Sequence, residues 1–324
     1  MPVSSTSTGL EALQTLFDSP DAAVRLVALR EVADACAPEL LPVVERALGD
    51  ADAEVRLEAV ATLDAIGGVE SVAPLIRALG DADEEVRGEA AKALAELKHA
   101  DGAGLLLAAL PKAADAWTLA ALLEALKPLR HPAALPPAMS RLDHADPAVR
   151  IAAIGVIGYL QSPDAVPQLV AVGARDPVAA VRHAALRALV SGAPEQVAQA
   201  ALAALKDAEW LIRAEAATIL GKLRHAAAAE PLTGLLDFET QWQVREQATE
   251  ALGLLQYKPA IAAIGRCLHS PVSNLRKVAV IALGRIGDRS VRLLLAGVRN
   301  DADAQVRKLA GQLLERLEQD AAAS

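Results

Sequence analysis

Val86, Ala90, Leu94 and Leu97 follow one another at intervals of four, four and three residues, so on a helix of 3.6 residues per turn they share one face. The same spacing returns along the whole chain. The segments DAEVRLEAVATLDAI from 52, DEEVRGEAAKALAEL from 83 and DPAVRIAAIGVIGYL from 146 superpose on a Val-Arg dipeptide. Each has an Ala four residues after the Val and apolar residues eight and eleven after it. The residues in the Val register are Val24, Val55, Val86, Thr118, Val149, Val181, Ile212, Val244, Leu275 and Val306, separated throughout by 31 or 32 residues. Ten copies at so constant an interval define a repeat protein.

Two helices are predicted in each copy. The first opens near an aspartate three residues before the Val register, as at Asp52, Asp83, Asp115, Asp146 and Asp303. A carboxylate there accepts from a free backbone N–H and meets the positive end of the helix dipole. A Gly or polar turn such as Gly67-Gly68 or Gly287-Asp288 ends the first helix, and VAPLIRAL at 72–79 or AAEPLTGLL at 228–236 forms the second. The proline of the second helix fits only its first turn. A lone hairpin of this size cannot bury both of its apolar faces, so hairpins must stack. The expected fold is an all-α, right-handed α-solenoid of about ten hairpins, with the second helices on the concave side. A single continuous array is expected over 10–317, with 10–17 (LEALQTLF) as a capping half-repeat. Residues 1–9 and 318–324 are expected as a disordered and a frayed tail. The fourth copy, DAWTLAALLEALKPL, lacks the Arg and is the least regular.

The DxxVRxxAxxAL first helix and AVxPLxxAL second helix resemble HEAT repeats, in particular the short bacterial HEAT-like kind also found in phycobilisome bilin lyases. The resemblance spans about 10–317. It implies a scaffold, adaptor or assembly factor that binds a partner protein on its concave face or repeat edge. The alternative it implies is a bilin-lyase-like enzyme, or enzyme subunit, holding a cofactor beside its acceptor protein.

Composition narrows the partner. The chain of 324 residues is 53% hydrophobic but 2% aromatic, so alanine fills much of the apolar quota and favours close helix packing. Lys+Arg 32 against Asp+Glu 41 gives −9, which argues against nucleic acid as the partner, since phosphate contacts need net positive charge. No apolar run is long enough for a membrane span. The two cysteines, Cys36 and Cys267, stand far apart in sequence and outside any CxxC pair. With no signal-peptide pattern at the start, a cytoplasmic setting is expected.

The repeated polar feature is an arginine ladder: Arg25, Arg56, Arg87, Arg150, Arg182, Arg213, Arg245, Arg276 and Arg307. Asp50, Asp81, Asp176, Asp207 and Asp301 recur five residues before the Val register, so the ladder is expected to bond acids and turn carbonyls between layers. No pattern calls for a catalytic group, a cofactor or a metal. HEAT-like deoxyhypusine hydroxylases carry His-Glu dipeptides as iron ligands, and here none of the six histidines (His99, His131, His144, His183, His225, His269) is followed by Glu. HEAT-like DNA glycosylases need a basic groove, which the net charge disfavours.

Two candidate contact surfaces remain. Trp210 and Trp242 occupy the same register position in adjacent copies, with Phe238 nearby, as an aromatic hot spot would. Residues 258–299 hold eight basic side chains, among them Arg266, Arg285, Arg289 and Arg292, against Asp288 alone, while residues 1–100 carry 19 acidic and 8 basic groups. That polarity would suit an acidic partner at the basic end, or head-to-tail self-association.

Overall fold

The computed structural model describes residues 13, 15–35, 38–97 and 100–322, and among them there is helix and turn but no strand. The expected tail at 1–9, Cys36 and His99 lie outside the described residues; of the capping segment, residues 13 and 15–17 are described and helical. The chain divides into two compact units, residues 1–162 and 163–324.

The first unit holds α1 (Ala22–Ala35), α2 (Leu41–Ala47), α3 (Ala53–Ile66), α4 (Val72–Ala78), α5 (Glu84–Ala95), α6 (Ala103–Ala109), α7 (Ala116–Leu126), α8 (Leu135–Met139) and α9 (Pro147–Leu160). The second holds α10 (Val166–Arg175), α11 (Ala179–Ala188), α12 (Pro194–Ala204), α13 (Trp210–Leu223), α14 (Ala229–Phe238), α15 (Trp242–Leu254), α16 (Ile261–Cys267), α17 (Ser273–Ile286), α18 (Val291–Gly297) and α19 (Ala304–Ala322). Odd-numbered helices are the first helices of the hairpins and even-numbered ones the second. The last helix runs through Ala322, so the segment expected to fray from 318 is helical that far.

The caps follow from the sequence. Asp52, Asp83, Asp115 and Asp146 precede α3, α5, α7 and α9 and accept from backbone N–H groups of the first turn. Glycines end α3 and α17: Gly67 and Gly287 both take φ 68°, which a side chain would strain. The core is aliphatic. In the second repeat Val55, Val60, Leu63, Val72, Leu75 and Leu79 are all buried, each contributing about 1.5–3 kcal/mol before conformational entropy is subtracted. Alanine and glycine set how closely layers approach. A Cβ on Gly221 would lie 2.8 Å from Ala251 Cα, and one on Gly253 would lie 2.8 Å from Ala282 Cα. The first helices α13, α15 and α17 therefore stack nearly backbone to backbone.

Candidate functional site

Eight of the nine ladder arginines turn Nη1 onto the carbonyl six residues earlier, at 2.6–3.0 Å. At least five also donate Nε and Nη2 to a carboxylate of the next layer at 2.7–2.9 Å: Arg25 to Asp50, Arg56 to Asp81, Arg182 to Asp207, Arg213 to Glu239 and Arg276 to Asp301. Each such acid also accepts from the backbone N–H two residues on, which fixes the carboxylate before the arginine arrives. The guanidinium holds Asp50, Asp81, Asp207 and Asp301 below the usual aspartate range. Glu239 stands in the same register as the aspartates, five residues before Val244, and a search for aspartate alone passes over it.

Two rungs are built differently. Arg87 faces a layer with Ala113 in the acid position, and its guanidinium lies over the Trp117 ring, 5.7 Å from the centroid. Arg245 faces Ser270, and its Nη2 reaches Cys267 Sγ at 3.7 Å instead.

The basic window is largely neutralised across layers. Arg266 pairs with Asp237, Arg276 with Asp301, Lys277 with Asp303 (3.4 Å), Arg285 with Glu250 (3.5 Å), Arg292 with Glu318 (3.1 Å) and Lys258 with Asp288 (3.2 Å). Five of those six acids lie outside 258–299, so a charge count along the sequence cannot see them. Among the described residues, Arg289 and Arg299 have no ion-pair partner.

The aromatic candidates separate. Trp210 and Trp242 are the first residues of α13 and α15 and are half-buried, whereas Phe238, at the end of α14, is 87% exposed. Leu293 on α18, which the sequence did not single out, is 84% exposed. Both sit on second helices.

A recess of about 700 Å³ lies between the second helices α10 and α12. Leu169, Val170, Gly173, Leu186, Ala200 and Ala203 are among its apolar lining, and Glu195, Gln199 and Lys206 among its polar lining. In repeats one to five a 3-10 turn opens 14 residues after the Val register and leads into the second helix at 17, whereas α12 is α-helical from Pro194, 13 after Val181, and ends at Ala204 in the register where α2, α4 and α6 end. The first helix α11 is correspondingly short, ending at Ala188, and α12 is long. The sequence signal was the SGAP turn at 191–194, which interrupts the hairpin pattern earlier than elsewhere.

Comparison with known proteins agrees with this repeat architecture. A HEAT-repeat profile matches residues 10–95, 72–143, 103–190, 172–253 and 235–315. The chain belongs to the HEAT-repeat family. A curated relative, deoxyhypusine hydroxylase-B of Oryza sativa subsp. japonica, is 31% identical over 106 residues, 32% of this chain and 35% of that protein, so the match spans about a third of the relative's length. Among solved structures, Kap121p bound to Nup53p aligns over 98% of this HEAT-repeat chain and 43% of its own, with TM-score 0.69 and 14% identity. An engineered protein aligns over 95% and 98%, with TM-score 0.53 and 20% identity. Identities this low carry the fold alone. Among the described residues, no His, Cys, Asp and Glu side chains gather in threes as a metal ion would need, and no helix is long and apolar enough to cross a membrane.

Proposed function

We propose that this HEAT-repeat protein is a non-catalytic docking scaffold that holds a partner protein on the second-helix face of residues 163–324. The observation that carries the reading is the recess between α10 and α12: a lining mostly of aliphatic and small side chains with Glu195, Gln199 and Lys206 beside them, next to the completed Arg182–Asp207 rung. A recess of this size and lining accepts one or two aliphatic side chains of a helix or extended segment. Phe238 and Leu293 add exposed apolar contacts on the same class of helix, and apolar anchors with a polar rim are the composition of protein interfaces. The Kap121p structure, which contains bound Nup53p, supports a stacked-hairpin chain as a protein-binding frame.

The hydroxylase relative brings an enzyme reading into view, and the absence of any His-Glu dipeptide in this sequence weighs against it. Bilin-lyase-like chemistry has no residue-level support here beyond the repeat pattern.

The test is site-directed photo-crosslinking in cell extract, with the reactive group placed at Gln199 in the lining and, as a control, at Gly88 on α5, where nothing lies within 4 Å. One protein crosslinked from 199 and not from 88, and lost in Ala203→Arg, is the expected result. Equal crosslinking from both positions, or capture unaffected by Ala203→Arg, would remove the recess from the account.

A further inference from the structure

The arginine ladder contains a charge that its own chain leaves uncompensated. Five ladder arginines each receive a carboxylate on Nε and Nη2, and a desolvated guanidinium needs such a partner to offset the loss of water. Arg245 sits in the same register, and the residue in the acid position is Ser270. Ser270 keeps the turn role of the acids, its Oγ accepting from Val272 N at 3.2 Å, but brings no negative charge. Arg245 Nε is buried without an acceptor, and among the described residues the guanidinium's one side-chain hydrogen bond is to the Cys267 thiol at 3.7 Å, a weak acceptor. The carbonyl bond that the other eight arginines make through Nη1 is not made here, so this guanidinium lacks both the carboxylate and the turn carbonyl.

We propose that Arg245, with the Ser270 hydroxyl, forms a binding site for a small monovalent anion of chloride size. The anion takes the place that a carboxylate fills in the completed rungs. Size is set by the substitution itself: exchanging an aspartate for a serine frees room for little more than a carboxylate's two oxygens, which excludes a phosphate monoester. Charge is set by the single guanidinium. No acidic side chain forms an ion pair with Arg245 among the described residues, so nothing charged from the chain competes for it. This site is separate from the recess between α10 and α12 and stands whether or not a partner docks there.

Chloride binding can be read directly from the excess line width of the ³⁵Cl NMR signal. The wild-type chain is expected to broaden chloride saturably, with bromide displacing the excess. Ser270→Asp supplies the missing carboxylate in the form the fold already uses at least five times, so it should fold and lose most of the excess. Arg245→Met should lose it as well, and circular dichroism on that variant checks that it remains helical. A wild-type signal with no saturable excess overturns the site, as does an excess that persists in Ser270→Asp.

Discussion

Two stretches of the second unit use small residues to opposite ends. From α13 to α17, Gly221 and Gly253 are covered so closely that a Cβ would meet the neighbouring helix at 2.8 Å. Between α10 and α12, Gly173, Ala174, Ala200 and Ala203 line an open recess, and a Cβ on Gly173 would find nothing nearer than Ala185 Cβ at 3.6 Å. Composition does not separate the two. Cover does: the next first helix closes over Gly221 and Gly253, whereas Gly173, between the second helices at the recess, keeps ordinary contact distances. In a stacked array small residues can thus line an open recess as well as a closed contact, with no new side-chain chemistry.

The largest effect should come from cutting the rung that braces the open region. Asp207 borders the recess and ties its loop to Arg182 on α11. Asp207→Ala leaves that guanidinium without its carboxylate and should cost about 1.5–3 kcal/mol in urea unfolding. The same bond gives the pH dependence its sign. Arg182 holds the Asp207 carboxyl below its ordinary range, so its contribution is complete above the unfolded value of about 3.9 and is lost as pH falls through the lowered folded value. Urea midpoints should stay level from neutrality to about pH 4 and fall below it, with a shallower fall in Asp207→Ala.

The glycines sharpen the contrast further. Gly253→Ala drives a methyl against Ala282 Cα, and overpacking of this kind should outweigh the gain in helix propensity by about 1–2 kcal/mol. Gly173→Ala meets only ordinary contacts and should stabilise by about 0.5–1 kcal/mol. Opposite signs for one substitution, compared by urea midpoint, would establish which stretch is closed. Equal signs would remove the packing difference between them.

Much of this was legible in the sequence. The ten-fold register, the aspartate caps at Asp52, Asp83, Asp115 and Asp146 and the alternation of helices are local patterns that a 31-residue period repeats. Features that depend on a neighbour one repeat away were harder to read. The basic character of 258–299 dissolves once Asp237, Glu250 and Glu318 reach it from other helices. Glu239 hid behind a search for aspartate. The recess was missed because small residues read alike in sequence whether or not a facing helix covers them.

The smallest expected effect on stability belongs to Ala203→Arg, an exposed position where the change should stay within about 0.5 kcal/mol. Its effect on binding bears most directly on the docking claim. Once crosslinking from position 199 has identified the partner, titration calorimetry of that partner against wild type and Ala203→Arg measures it. The recess account predicts at least a tenfold loss of affinity, about 1.4 kcal/mol, with the urea midpoint unchanged. Equal affinity in the two proteins would contradict it.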